Sequence, residues 1–173
     1  RDILFSACNW GADNSVEWIK STGAHMWRST GDIFDSWQSV KDLAVSQIER
    51  QPYFSPCCFN DMDMLVVGLR GRGNAGLTGC TDQEYRTHFS YWAILQSPLM
   101  IGCDIRQMDA FTMETLTNPE IIAVNQDPAF RQPYLILNWG REQLVWAKQL
   151  EGGDYALGLF NLADDSRHMD FYW

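Results

Sequence analysis

The chain has 173 residues, enough for one domain with a buried core, and its 46% apolar and 20% charged residues suit an ordinary globular protein. A formal net charge of -9 argues against a cationic face able to displace counterions from nucleic acid. No stretch approaches the ~18 consecutive apolar residues of a membrane span, so neither nucleic acid nor a membrane is expected as a partner.

"ILFSAC" (residues 3–8) reads as a short buried parallel strand. "NSVEWIKSTG" follows as a helix, with Asn14 or Ser15 as N-cap and Gly23 as its stop. "HMWRS" is a second strand. "DSWQSVKDLAVSQIER" carries apolar residues at Trp37, Val40, Leu43, Ala44 and Ile48, a helical spacing capped by Asp35 or Ser36. "MDMLVVG" (62–68) is read as a third strand, leading into a glycine-rich loop from Gly68 to Gly79. "TDQEYRTHFSYWAILQS" is the longest helix, opened by a Thr81/Glu84 capping box. "PLMIGCD" (98–104) is read as a fourth strand, and "TMETLTNPEIIAVNQD" as helix broken at Pro119. Four strand–helix units in a row give an α/β architecture with a parallel sheet over residues 1–128. From 129 to 173 the pattern changes: "QLVWAKQL", "DYALGLFNL" and "HMDFYW" read as strands of an antiparallel β domain, joined by "EGGD" and "ADDSR" turns.

Five cysteines, Cys8, Cys57, Cys58, Cys80 and Cys103, leave at least one thiol unpaired, and adjacent Cys57 and Cys58 are a poor disulfide pair. That count slightly favours a reducing, cytoplasmic setting over an oxidising one. His25, His88 and His168 match no zinc spacing, so no metal site and no cofactor are expected. The chain opens on Arg1 rather than Met and is expected to come from a longer polypeptide, which leaves targeting open.

In parallel α/β folds, function gathers at the C-terminal ends of strands. Four polar clusters fall there: Cys8-Asn9-Trp10, Arg28 to Asp32, Asn60 to Met64, and Cys103-Asp104. There is no G-x-S-x-G elbow and no phosphate loop; "GLRGRGNAGLTG" reads as a mobile loop more readily than a phosphate cradle. Asp32, Asp61 and Asp63, with Arg28 and several tryptophans nearby, suit glycoside cleavage, which uses two carboxylates flanking the scissile bond.

"WRSTGDIFDSW", "NDMDML", the stretch from "EYRTHFSYWAI" to "SPLMIGCD", and "NPEIIAVNQDP" together resemble glycoside hydrolase family 27, the α-galactosidases and α-N-acetylgalactosaminidases. The resemblance implies a retaining enzyme on a (β/α)8 barrel. The four units here would be the C-terminal half of that barrel, units five to eight, followed by the start of an antiparallel β domain. It implies that Asp32 is the acid/base, with Arg28 holding sugar hydroxyls and Trp27, Trp37 and Arg28 setting the proton affinity of Asp32. Asp63 would bind a sugar hydroxyl and Met64 would line the pocket. Met62 stands where many relatives have proline. Cys8-Asn9-Trp10 resembles the family's Cys-Glu-Trp; Asn9 in place of glutamate leaves open the choice between galactose and N-acetylgalactosamine. Animal members also have a cysteine, paired with the one at Cys8, where Ala24 stands; Cys8 is therefore expected to be free. The family's nucleophile, an aspartate in an earlier lysine-containing motif, has no match here. The resemblance thus implies an α-galactosidase fragment without its nucleophile, inactive alone on terminal α-D-galactosides. The alternatives are a carbohydrate-binding half-barrel, or one that self-associates through open edges.

Overall fold

The computed structural model describes residues 2–170. Three short strands, β1 (Ser6–Cys8), β2 (Met26–Arg28) and β3 (Phe59–Asp61), form a parallel sheet in the order β1-β2-β3. The register pairs Cys8 with Arg28 and Arg28 with Asp61, so the three strands end in one row. Every loop leaving these strands therefore starts from the same rim.

Helix α1 (Ser15–Trp18) passes into a 3-10 turn, Ile19–Thr22, that Gly23 ends in the left-handed conformation. Asn14 sits at its N-terminus with φ of 49° and makes no side-chain cap. Helix α2 (Trp37–Arg50) is capped by Ser36, whose hydroxyl accepts from the Ser39 amide; Asp35, the other candidate, is engaged elsewhere. Helix α3 (Asp82–Ile94) opens on the expected capping box. The last expected helix is two, α4 (Ala110–Leu116) and α5 (Pro119–Asn125), because Asn118 ends one and caps the other.

Two strand assignments need correction. The third strand is Phe59–Asp61, not 62–68. Met62, Leu65, Val66 and Val67 are buried, which made the run look like a strand. The backbone departs from extension at Asp63, where φ is +81°, and the Asp63 amide turns back to Asp61 Oδ1 at 2.9 Å. Burial there is met by side chains instead: the Val66 amide donates to His88 Nε2 at 3.1 Å. The expected fourth strand is a single parallel bridge between Leu65 and Ile101.

The second sheet is antiparallel, with order β4 (Tyr134–Trp139), β5 (Gln143–Gln149) and β6 (Tyr155–Asn161). Strand β4 was missed because its residues alternate weakly and lie half open to solvent. The expected strand at 168–173 is irregular over 168–170, and residues 171–173 lie outside the described residues. The main apolar core runs without a break from Ile33 through Trp92 to Trp146 and Leu162, so α3 is shared by α2, the buried turn at 62–67 and the antiparallel sheet. Tyr91 ties α2 to the antiparallel sheet: its hydroxyl donates to Ala44 O and accepts from Trp146 Nε1, at 3.0 and 2.9 Å. The side chain of Lys148, buried in β5, donates to Val124 O at the end of α5.

Candidate active site

The loop after β2 puts a guanidinium between two carboxylates. Arg28 Nη2 lies 2.9 Å from Asp32 Oδ1 and 2.9 Å from Asp63 Oδ2, and it also donates to the Gly31 carbonyl at 2.9 Å. The two carboxylates differ in freedom. Asp63 is largely buried: its Oδ2 accepts the Ile33 amide at 2.8 Å and its Oδ1 the Met64 amide at 2.7 Å. Asp32 keeps a side chain that is 59% exposed. One carboxylate is thus a structural clasp between the β2 and β3 loops, and the other is presented to solvent.

Asp61 lies behind them, 4% exposed. Burial pushes its carboxyl above the usual range, and the Asp63 amide and Arg28 partly oppose that. Trp92 adds a further support, its indole N–H donating to the Asp63 carbonyl at 2.9 Å. Trp92 is packed edge-on by His88, ring centroids 4.1 Å apart.

Asp35 has a larger role than a helix cap. Its buried carboxylate accepts the Tyr85 hydroxyl at 2.8 Å and the Gly71 amide at 2.7 Å. Its backbone N–H donates to Ala75 O, and its carbonyl accepts from the Gly79 amide. The residue three places after Asp32 therefore holds the glycine-rich loop. The Tyr85 hydroxyl also accepts the Arg70 amide, and burial foremost pushes its phenol up to about 12.

Arg28, Asp32 and Asp63 come together, and Met64 follows Asp63, its amide donating to Asp63 Oδ1. Cys8, Asn9 and Trp10 share the rim, but among the described residues none of them hydrogen-bonds to that group. The Asn9 side chain closes its own turn, donating to Ala12 O and accepting the Gly11 amide. Trp10 is exposed, with φ of 58°, and Cys8 is a free, exposed thiol, as are the other cysteines free. The tryptophans do not wall Asp32. Trp27 faces the opposite side of β2, where its indole N–H meets Asn60 Oδ1 in a separate core cluster. Trp37 packs on the main core. Cys103 and Asp104 follow Gly102, which packs on the Met64 sulfur, and Asp104 is paired to Arg106 at 2.8 Å. Sequence reading missed Trp92, and missed Asp35 beyond its capping role; the aspartate preceding Ser-Trp was the signal for the second.

A family model described as "Alpha galactosidase A" matches residues 1–127. The chain belongs to that family. A Coffea arabica protein named alpha-galactosidase is 42% identical over all of this chain, which spans 43% of that protein's length. A Bacteroides fragilis crystal structure, provisionally described as an alpha-galactosidase/melibiase, matches 94% of this chain and 36% of its own, at 36% identity and a TM-score of 0.89. A GH27 β-L-arabinopyranosidase from Geobacillus stearothermophilus matches 95% of this chain and 38% of its own, at 27% identity and a TM-score of 0.82.

Proposed function

We propose that this chain carries the acid/base half of a retaining glycoside hydrolase acting on terminal α-D-galactosides. The observation that carries the reading is the asymmetric clasp: Arg28 is braced on the largely buried Asp63 and pairs with exposed Asp32 at the rim of the parallel sheet. Family membership supports it. In this reading Asp32 protonates the glycosidic oxygen as the bond breaks, then takes a proton from the water that releases the sugar. Arg28 and Asp63 hold sugar hydroxyls, Met64 lines the pocket, and Cys8, Asn9 and Trp10 form its far wall.

Double displacement needs a second carboxylate about 5–5.5 Å from the first. Asp63 has its oxygens committed to two amides and Arg28, and Asp61 is buried behind it. Neither is placed to attack an anomeric carbon, so the nucleophile is assigned to residues other than these. The parallel sheet would be units five to eight of a (β/α)8 barrel, with residues 129–170 belonging to an antiparallel β domain. The arabinopyranosidase match supports a second reading, a relative acting on another sugar. β-L-Arabinopyranose has the ring configuration of α-D-galactose without its hydroxymethyl group; an N-acetylgalactosaminide is the other candidate.

Hydrolysis of 4-nitrophenyl α-D-galactoside by the chain alone is expected to be absent. Exchanging the chain for the matching stretch of the coffee protein is expected to give an active chimaera. Asp32→Asn in that chimaera should lower turnover by about 10²–10⁴-fold, with azide partly restoring it. Full activity with Asn at position 32 would overturn the assignment. The same panel run on the arabinoside and the N-acetylgalactosaminide separates the two readings.

A further inference from the structure

The buried turn that carries Asp63 is held largely by side chains of α3 and the loop after it. Buried amides and carbonyls need partners, and apart from the bridge at Leu65 no strand supplies them here. Ser97 Oγ accepts the Met62 amide at 3.0 Å, the Trp92 indole N–H donates to the Asp63 carbonyl at 2.9 Å, and His88 Nε2 accepts the Val66 amide at 3.1 Å. His88 and Trp92 are four residues apart, so they share one face of α3, and their rings pack edge-on. Burial keeps His88 neutral, with a pKa of about 3, so it remains an acceptor.

Asp63 needs this support. Its φ of +81° is a conformation that a residue with a Cβ keeps only where its surroundings over-determine it. Its amide donates to Asp61 Oδ1, its Oδ1 accepts the Met64 amide, and its Oδ2 faces the Ile33 amide and Arg28. Those partners all belong to the rim: β2, β3 and their loops. Trp92, fully buried in the main core, is the one partner among the described residues that comes from α3. It also acts at the point that matters. A peptide group is planar, with its carbonyl and N–H pointing opposite ways. Fixing the Asp63 carbonyl therefore fixes the Met64 N–H, and that N–H holds Asp63 Oδ1 at 2.7 Å. The other carboxylate oxygen is then left facing Arg28, which reaches Asp32.

We infer that Trp92 is a positioning residue for the proton transfer assigned to Asp32, acting through the Asp63–Met64 peptide and Arg28. The inference rests on the glycosidase reading for the role of Asp32, and on the contacts alone for the hold on Asp63.

The test removes the indole N–H in two ways. Trp92→Phe keeps an aromatic ring; 3-benzothienylalanine at position 92 keeps the bicyclic shape and covers the case in which the phenylalanine variant fails to fold. Amide hydrogen exchange on the full chain reads the hold on Asp63. Exchange at Ile33 and Met64, whose amides meet its carboxylate, should quicken by about tenfold beyond any change at Val40 in α2. Equal quickening at all three, or none at Ile33 and Met64, would overturn the inference. The coffee-protein chimaera reads the proton transfer. With either replacement, kcat/KM for methyl α-D-galactoside should fall by about 10–100-fold, and for 2,4-dinitrophenyl α-D-galactoside by about threefold or less, because a good leaving group departs without a proton. Equal losses on both substrates, beside a selective loss in Asp32→Asn, would overturn the inference and leave the glycosidase reading standing. Equal losses in Asp32→Asn itself would overturn that reading, and with it the role of Trp92 in proton transfer.

Discussion

Asp35 and Tyr85 show how much a single buried pair can organise. The Tyr85 hydroxyl donates to the Asp35 carboxylate and accepts the amides of Arg70 and Cys80. Tyr85→Phe leaves the buried carboxylate short of its donor and both amides without their acceptor. It should destabilise the fold by about 2–3 kcal/mol, seen as a lower urea midpoint with an unchanged slope. His88 makes a different prediction. Burial lowers its pKa from 6.5 to about 3, so the folded chain binds this proton less readily than the unfolded one. The stability it contributes is therefore present above about pH 6.5 and is lost as pH falls toward about 3. The slope should reach about 1.4 kcal/mol per pH unit. Urea midpoints at pH 7 and pH 5 should diverge more in the parent than in His88→Gln. Equal divergence would assign the acid sensitivity to carboxylates instead.

Among the elements, the helices and strands β1, β2, β5 and β6 were legible, while β4 and the place of β3 were not. Thr81 with Glu84, Ser36, and Asn118 before Pro119 are local signals, readable because a cap and the amides it satisfies lie within a few residues. Asn118→Ala should cost about 1 kcal/mol by urea denaturation, because its side chain accepts the Glu120 and Ile121 amides. The third strand was displaced because burial and extension are separate properties. Met62 to Val67 are buried, yet the turn at Asp63 breaks the chain's extension. The Arg28–Asp32 pairing was readable from its spacing. The commitments of Asp63, Trp92 and Asp35 were not, since their partners lie 30, 29 and 36 residues away. Trp27 misled for a related reason: adjacent residues on a strand face opposite ways, so it and Arg28 point apart.

At the scale of the molecule, the parallel sheet ends on β1 with a backbone edge and apolar side chains in the open. Ile3 and Leu4 lead into that edge, 80% and 67% exposed, and Met100 and Ile101 stand exposed beside the Leu65 bridge. Such surfaces pair readily. The isolated chain is expected to self-associate at micromolar concentration in sedimentation velocity, and Leu4→Lys should shift it toward monomer. A monodisperse monomer in the parent would remove this proposal. The join between α2 and the antiparallel sheet is better protected, since Tyr91 and Trp146 fill it.

The way the glycine-rich loop is held has a consequence for how such a protein can diversify. Asp35 grips it through the Gly71 amide, the Ala75 carbonyl and the Gly79 amide, backbone groups that ask only for the two glycines at their positive-φ positions. The side chains of Arg72, Asn74, Leu77 and Thr78 are left exposed and outside that grip. The loop is a cassette: its surface can be rewritten while the anchor and the neighbouring Asp32 stay in place. A library randomised at those four positions should keep urea midpoints close to the parent's.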